Sequence, residues 1–222
     1  GVLAALLPLA AACQQPVPAF AAEKPVLAPA AIHVAKEPSG RQVAIFSGGC
    51  FWGVEGVFSH VQGVTGAVSG YHGGTRANAT YAKVGGGDTG HAESVKVTYD
   101  PKVIRYDQLL RIFFSVVADP TTLNYQGPDR GTQYRSALVP LGDEQRKAAA
   151  DYLAQLKASG IWTKPIVTRI EAYRGFCPAE AYHQDFMNAH PRNAYIVACD
   201  APKVAALKRM FPGFYRERFQ TG

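Results

Sequence analysis

Apolar side chains alternate with polar ones, or run together, in five short stretches that predict β-strands. The clearest alternation is at residues 93–99 (Glu-Ser-Val-Lys-Val-Thr-Tyr), where every second side chain would face the same side of a sheet. An apolar run at residues 43–46 predicts another strand, which breaks at two glycines. The five predicted strands span residues 42–47, 64–71, 92–99, 134–140 and 165–172.

Helical patterns fall between and after these strands, at residues 51–60, 106–117, 143–159 and 179–189, with a short terminal helix within 200–215. Asp143 can cap the third helix and Gly160 can end it. Because paired strands would carry helices on one side, we expect an α+β fold: a two-layer sandwich with a mixed sheet, of the ferredoxin-like roll type. The loops at 84–90 and 118–133 are too long for simple connectors, so we expect them to carry functional residues.

The first forty residues differ in composition from the rest. The apolar run at residues 2–12 is too short to cross a bilayer and is typical of a signal peptide, and the Ala-Phe-Ala sequence before Ala22 fits cleavage there. Cys13 follows three alanines and resembles an acylation site, which would give a lipid anchor instead. We expect residues 1–21 to be a truncated signal peptide and residues 22–40, rich in Ala and Pro, to be a flexible linker.

Export would place the protein in the periplasm, either free or anchored on the periplasmic side of the membrane. A disordered, uncleaved N-terminus and a cytoplasmic location form the alternative. We expect a single domain at residues 41–215, followed by a tail at 216–222, because 222 residues with 47% hydrophobic content can bury one core. We expect this domain to be a monomer.

The net charge of +6 does not indicate nucleic-acid binding. Lys and Arg are spread along the chain, and the longest basic groupings are the pairs Arg146-Lys147 and Lys208-Arg209. A nucleic-acid interface needs a much denser basic surface. The positive charge is more consistent with solubility.

The segment Ser-Gly-Gly-Cys-Phe-Trp-Gly at residues 47–53 places Cys50 where a predicted strand ends and a helix begins. Free backbone N–H groups and the helix dipole at that position favour a thiolate, which is the reactive form of cysteine. Phe51 and Trp52 would form an apolar wall beside the sulfur. A buried structural cysteine followed by core aromatics is the alternative, but the paired glycines and the aromatic pair favour a nucleophile.

Acidic and phenolic side chains in the long loops could assist such a nucleophile. Glu93 follows a glycine-rich loop and begins the third strand; on the buried face its pKa would be raised, so that it could donate a proton. A solvated charge at the strand end is the alternative. Asp129 and Tyr134 lie around the turn into the fourth strand, and Tyr81 offers another hydroxyl. These residues by themselves indicate a cysteine nucleophile with a nearby acid.

Four motifs, in this order, resemble those of the A-type peptide methionine sulfoxide reductases: Gly-Cys-Phe-Trp-Gly at 49–53, Gly-Asp-Thr-Gly-His-Ala-Glu at 87–93, Gly-Thr-Gln-Tyr-Arg-Ser at 131–136 and Ala-Glu-Ala-Tyr-His-Gln at 179–184. The resemblance covers about residues 41–215. It implies an enzyme that needs no cofactor or metal and reduces the S epimer of methionine sulfoxide, free or in proteins, as a repair of oxidative damage.

The resemblance also implies roles for individual residues. Cys50 would attack the sulfoxide sulfur while Glu93 protonates the oxygen. Two phenols would donate hydrogen bonds to that oxygen, and an acid would help to place the substrate: Tyr81, Tyr134 and Asp129. Phe51 and Trp52 would receive the ε-methyl group, and His183 is a weaker substrate-binding candidate.

Regeneration would follow from the sulfenic acid left on Cys50, which a second thiol converts to a disulfide for reduction by thioredoxin or a thioredoxin-like protein. Many relatives carry resolving cysteines in a glycine-rich C-terminal tail that this chain lacks. Cys199 lies in the corresponding stretch and is the first candidate, and Cys177 is the second. A cycle with one cysteine, reduced directly by an external thiol, is the third alternative.

Three other classes fit the sequence less well. A thioredoxin-like oxidoreductase needs Cys-x-x-Cys, and residue 53 is Gly. A structural zinc site would need widely spaced ligands, unlike those of compact zinc modules: Cys177, His183, His190 and Cys199. A non-catalytic binder of methionine-rich surfaces would leave Cys50 and Glu93 without a role.

Overall fold

The centre of the molecule is a mixed sheet with the strand order β7-β6-β1-β3-β2-β8. The structure is a computed structural model that describes residues 23–222, so the predicted signal peptide, its cleavage site and the acylation site at Cys13 lie outside the described residues. The strands of the sheet are β1 (Gln42–Gly48), β2 (Val64–His72), β3 (Ala92–Tyr99), β6 (Ser136–Val139), β7 (Arg169–Ile170) and β8 (Phe176–Pro178), and a separate pair is formed by β4 (Tyr125–Gln126) and β5 (Asp129–Arg130).

Helices connect and cover these strands. They are α1 (Phe51–Ser59), α2 (Tyr81–Val84), α3 (Tyr106–Ile112), α4 (Asp143–Ser159), α5 (Phe186–Ala189) and α6 (Ala201–Met210). Two π-helical turns continue α3 over Phe113–Val117 and precede α6 over Ile196–Asp200. None of the helices within residues 23–222 has the length and apolar composition required to span a membrane.

The order β1-α1-β2-β3-α3-β6 along the chain, with the spatial order β6-β1-β3-β2, is the ferredoxin-like arrangement. Neighbours within these four strands are antiparallel, and β7 adds to β6 in parallel, which makes the sheet mixed. The predicted α+β class with a mixed sheet is therefore confirmed.

Aromatic side chains fill the layer between the sheet and the helices. Phe46 on β1 is fully buried and stacks on Phe58 of α1, with ring centroids 4.8 Å apart, and on Phe113 after α3, at 5.3 Å. Burial of such rings provides most of the driving force that holds α1 on the sheet. The end of β1 and the start of α1 are thereby fixed relative to each other.

Two predicted elements differ from the structure at the C-terminal side. The strand expected at 165–172 is only Arg169–Ile170. The helix expected at 179–189 is a 3-10 turn at Ala181–His183 followed by the short α5. This helix is interrupted at Gln184, whose side chain binds the backbone of β2. The Gln184 amide oxygen accepts from the Ser69 N–H at 2.9 Å, and the Gln184 amide nitrogen donates to the Ser69 carbonyl at 2.9 Å.

Two further strand predictions differ from the structure: the strand at 134–140 begins later than predicted, and β8 is not predicted. Tyr134 belongs to a 3-10 turn rather than to the predicted strand 134–140, because its N–H bonds to the Gly131 carbonyl at 3.0 Å. Strand β8 is not among the predicted strands, since it is an edge strand of three residues. Helices α1, α4 and α6 are where the sequence predicts them.

Residues 23–37, here called the N-terminal strap, lie against the domain without forming a helix or strand. Ala28 and Ala35 are buried, and their N–H groups bond to Ser115 Oγ at 2.9 Å and Asp107 Oδ1 at 3.0 Å. The Glu37 carboxylate accepts from the Tyr99 hydroxyl. The segment is therefore not the free linker expected from its composition, because its small side chains fit closely along α3 and the turn that follows.

Candidate active site

Two glycines allow the chain to turn sharply from β1 into Cys50. Gly49 has φ +90°, which L-amino acids rarely adopt, and a Cβ there would lie 2.6 Å from the Gln126 Cβ. A Cβ on Gly48 would lie 2.7 Å from the ring of Phe113. Cys50 is then the N-cap residue of α1, as the sequence predicts.

The environment of Cys50 favours the neutral thiol. Burial raises the pKa of this thiol well above its ordinary value, and the carboxylates of Glu93, Asp200 and Asp129 raise it further. The Trp52 backbone N–H, at the start of α1, acts in the opposite direction and is outweighed. Burial and the neighbouring acids therefore act against the thiolate that the helix terminus favours.

Glu93 lies beside Cys50 and is protonated near neutral pH. It is 3% exposed, and its Oε2 accepts the Phe51 backbone N–H at 2.9 Å. Burial raises the pKa of Glu93 to about 8, an increase that the Phe51 N–H opposes and Asp129 supports. Since Oε2 is an acceptor, the proton is carried by Oε1. The structure therefore shows the buried acid and not the solvated one.

The Trp52 ring is held from three sides. It stacks on Phe186 with centroids 3.7 Å apart and 7° between the planes, and it meets the Tyr195 ring edge-on at 5.9 Å. The indole Nε1 donates to His183 Nδ1 at 3.0 Å. Phe51 is fully buried and packs against His183, with centroids 5.1 Å apart. Both aromatic side chains that follow Cys50 are therefore held by packing against other rings.

His183 occupies the centre of this aromatic cluster. It is 1% exposed, and burial lowers its pKa, so the ring is neutral. Because Nδ1 accepts from Trp52, the hydrogen of the neutral ring is on Nε2. That buried Nε2 has no hydrogen-bond partner among residues 23–222.

Tyr81 and Tyr134 present neutral hydroxyl groups near the two reactive side chains. Burial, followed by the Glu93 carboxylate, raises the pKa of each phenol, and Cys50 contributes to both shifts. Tyr81 begins α2 and is positioned by Glu180, whose Oε1 accepts its backbone N–H at 2.8 Å. Both phenols remain protonated at neutral pH and can donate hydrogen bonds.

A narrow cavity beside Cys50 brings further polar groups together. It is lined by Cys50, Cys199, Asp129, Tyr195, Lys203 and Glu23 and is called the rear cavity below. The Tyr195 hydroxyl donates to Asp129 Oδ2. Cys199 is almost fully buried on the π-helical turn before α6. Cys177 is on the edge strand β8 and does not line this cavity.

Comparison with known proteins identifies the family. The model of the peptide methionine sulfoxide reductase family matches residues 42–213. The peptide methionine sulfoxide reductase MsrA 2 of Mesorhizobium japonicum is 54% identical over 183 residues, which cover 82% of this chain and 94% of that protein. This chain belongs to the A-type peptide methionine sulfoxide reductases. It is accordingly an oxidoreductase of the peptide methionine sulfoxide reductase class, as the four sequence motifs imply.

Other relatives of this reductase agree in sequence and in fold. MsrA 2 of Synechocystis is 45% identical over 172 residues, or 78% of this chain and 80% of that protein. Mxr1 from Saccharomyces cerevisiae in its reduced form has a TM-score of 0.63 at 34% identity, covering 71% of this chain and 90% of that one. Methionine sulfoxide reductase A of Corynebacterium diphtheriae has a TM-score of 0.59 at 31% identity, covering 77% and 85%.

The sequence motifs do not indicate several polar groups near Cys50, namely Asp200 and three residues that line the rear cavity. Asp200 is 1% exposed, its Oδ2 is unpaired within the described chain, and burial raises its pKa to about 7. Asp200 packs against Gly53 of α1, where a Cβ would lie 2.3 Å from Asp200 Oδ1. Tyr195, Lys203 and Glu23 have no comparable motif in the sequence. Within residues 23–222, no three His, Cys, Asp or Glu side chains are grouped as metal ligands.

Proposed function

We propose that this reductase converts the S epimer of methionine sulfoxide, free or in proteins, to methionine at Cys50, and so repairs oxidised proteins. The observation that carries the proposal is the protonated Glu93 beside Cys50, anchored to the first residue of α1. A sulfoxide oxygen must be protonated as the S–O bond breaks, and a buried carboxylic acid is suited to that task.

The first half-reaction transfers one oxygen atom. The Cys50 sulfur attacks the sulfoxide sulfur while Glu93 gives its proton to the oxygen, and the Cys50 thiol proton passes to the Glu93 carboxylate. The oxygen then moves to Cys50 as the methionine sulfur is released, which leaves methionine and a cysteine sulfenic acid. The substrate sulfur is reduced by two electrons and Cys50 is oxidised by two.

The surrounding side chains have complementary roles in this proposal. Tyr81 and Tyr134 donate hydrogen bonds to the sulfoxide oxygen as negative charge develops on it. Phe51 and Trp52 receive the ε-methyl group, and the fixed orientation of the Trp52 ring supports selection of one epimer by shape. Asp129 helps to place the substrate, and His183 supports substrate binding by accepting the Trp52 indole N–H.

The second half-reaction restores the thiol of Cys50. We propose that Cys199 attacks the sulfenic acid to form a disulfide and water, and that thioredoxin or a thioredoxin-like protein reduces this disulfide. Cys199 is supported by its position in the rear cavity with Cys50. Cys177 on β8 remains the second candidate, and direct reduction by an external thiol remains the third.

The location of the reaction determines the source of electrons. We propose that the protein acts outside the cytoplasm, where an oxidising environment would hold Cys50 as a disulfide unless electrons were supplied. A thioredoxin-like reductant fed through the membrane would meet that need. If deletion of every exported thioredoxin-like protein left activity in the cell unchanged, this part of the proposal would be wrong.

A turnover assay tests the proposed function. Methionine-S-sulfoxide peptide is supplied with dithiothreitol to the wild type and to Cys50→Ser, Cys199→Ser and Cys177→Ser. We expect loss of activity only in Cys50→Ser, because dithiothreitol can reduce the sulfenic acid without a resolving cysteine. With thioredoxin in place of dithiothreitol, Cys199→Ser should also stall. An inactive wild type, or binding without turnover, would reject the proposal.

A further inference from the structure

Lys203 is the one cation among the described residues that line the rear cavity. It lies on α6, one helical turn after Cys199, and its side chain is only 12% exposed. Its Nζ lies 2.8 Å from Glu23 Oε2 and donates to the Val117 carbonyl at 3.0 Å. A mostly buried ammonium group held by one carboxylate and one carbonyl has a fixed position.

The other charged groups around Cys199 are acids. Burial is the largest of the effects that raise the pKa of the Cys199 thiol, and Asp200, Asp129 and Glu23 act in the same direction. Lys203 opposes them, and the pKa is about 11 as the net result. Tyr195 and Cys50 are the other titratable groups of the cavity, and both are neutral at rest. Without the Lys203 charge, a thiolate at Cys199 would face only acids and neutral groups.

We propose that Lys203 is a positioning residue for regeneration: its ammonium group, fixed by Glu23, stabilises the Cys199 thiolate as that thiolate attacks the Cys50 sulfenic acid. This inference rests on the proposed function and on Cys199 as the resolving residue. In the step, the bond between the two sulfurs forms and the Cys50 S–O bond breaks. The departing oxygen leaves as water with the proton that Cys199 gave up, so no further oxidant is needed.

Glu23 connects the N-terminal strap to Lys203, and thereby to the proposed formation of the disulfide. The family match covers residues 42–213, so the strap lies outside it, yet Glu23 supplies the carboxylate that fixes Lys203. The Glu23 Cγ also lies 3.8 Å from the position of a Cβ on Gly127, at the edge of the same cavity. We therefore infer that the strap supports regeneration of the enzyme.

The test separates the two half-reactions in one experiment. Reduced enzyme is mixed with one equivalent of methionine-S-sulfoxide peptide, and samples are quenched by thiol alkylation over time. Methionine release and the Cys50–Cys199 disulfide are then quantified by mass spectrometry between pH 6 and 9. The readout is the ratio of the two rate constants, which a partly misfolded preparation does not change, since only active molecules contribute to both.

In Lys203→Met we expect this ratio to fall about tenfold and the pH profile of disulfide formation to move up by about one unit, as loss of one stabilising charge implies. Lys203→Arg should restore most of the rate. Lys208→Met is the matched control, because Lys208 lies on the same helix but is exposed, and it should leave the ratio unchanged.

Glu23→Gln provides an independent variant if Lys203→Met is unstable. This change leaves the Lys203 ammonium group without the anion that fixes it, but it also removes an acid that raises the Cys199 pKa. We therefore expect disulfide formation to slow by about threefold, less than in Lys203→Met, and without the upward shift of the pH profile. An unchanged ratio and pH profile in both variants would overturn the inference. Failure of the wild type to release methionine would instead reject the proposed function.

Discussion

The Phe51 backbone N–H donates to Glu93 Oε2 at 2.9 Å, which joins the first residue after the nucleophile to the proposed acid. This contact fixes the carboxyl group relative to the start of α1 and leaves Oε1 to carry the proton. Because Glu93 is buried on β3 and Phe51 is buried on α1, the fold itself sets the distance between acid and thiol.

Replacement of Glu93 by Gln tests proton donation separately from hydrogen bonding. The amide oxygen can still accept from Phe51 and the amide N–H can still reach the sulfoxide, but no proton can be transferred. We expect the rate constant for methionine release in a single turnover to fall about 100-fold or more. Circular dichroism and substrate binding serve as controls for folding, and a decrease below about threefold would contradict the role of Glu93 as the acid.

The rate constant of the first half-reaction should depend on pH through the protonation of Glu93. The pKa of this group is raised by burial to about 8, so the acid is present below pH 8 and is lost as the pH rises through that value. We expect the single-turnover rate constant to fall above pH 8 in the wild type, whereas Glu93→Gln should lack this decrease. A rate that rises steadily with pH would indicate that a Cys50 thiolate controls the reaction instead.

Burial of Glu55 should make the free energy of unfolding depend on pH, independently of catalysis. It is fully buried on α1, and burial raises its pKa to about 8. The folded state therefore holds this proton more tightly than the unfolded state, and the resulting stabilisation is lost as the pH rises from about 4.5 through 8.

We expect Glu55→Gln to be more stable than the wild type at pH 9, by on the order of 2 kcal/mol, and to differ less at pH 5. The amide oxygen can keep the bond from the Asp185 N–H, which is 3.2 Å from Glu55 Oε1. Urea unfolding at the two pH values measures the difference. An equal effect at both values would show that Glu55 is not the titrating group.

The hydrogen bond between Trp52 and His183 can be removed while an aromatic ring is kept at residue 52. Trp52→Phe keeps an aromatic ring over Phe186 but leaves His183 Nδ1 without its donor, a loss of about 1–3 kcal/mol for a buried acceptor. We expect KM for the sulfoxide peptide to rise about 3–10-fold. Trp162→Phe is the matched control at a tryptophan outside the site, and a similar change in both variants would argue against the role of this contact.

Gly49 can be tested against another glycine with the same backbone conformation. Gly49 and Gly40 have φ of +90° and +91°, but a Cβ on Gly49 would collide with Gln126, whereas one on Gly40 would meet nothing within 4 Å. We expect Gly40→Ala to cost about 1 kcal/mol from backbone strain. Gly49→Ala should cost about 1–3 kcal/mol more and should displace Cys50, which lowers turnover. Equal unfolding energies and equal turnover would contradict this account of the turn.

The part of the site that local sequence encodes could be predicted. The alternation of residues 93–99 places Glu93 on the buried face of a strand, and the glycine pair before Cys50 indicates a turn into a helix. The family motifs include Tyr134 and His183, and the resemblance to the family adds Tyr81. These signals act over short stretches of chain, where backbone geometry and hydrophobic patterning dominate.

The groups that could not be predicted reach the site from distant parts of the chain. Lys203 pairs with Glu23, which is separated from it by most of the sequence, and no local pattern indicates that pair. The pKa of Cys50 also depends on Asp200 and Asp129, whose effect a rule for isolated helix termini leaves out. The helix expected at 179–189 is interrupted because Gln184 bonds to the backbone of Ser69, a contact that exists only in the folded sheet.

Identification of the oxidised sulfur tests the central claim most directly. Reduced Cys177→Ser/Cys199→Ser protein is mixed with one equivalent of methionine-S-sulfoxide peptide in the presence of a reagent that traps sulfenic acids, and the trapped site is mapped by mass spectrometry. We predict one methionine released per protein and the trap on Cys50 alone, with none in the additional Cys50→Ser variant. Methionine release without a trapped Cys50, or release by the Cys50→Ser variant, would contradict the account.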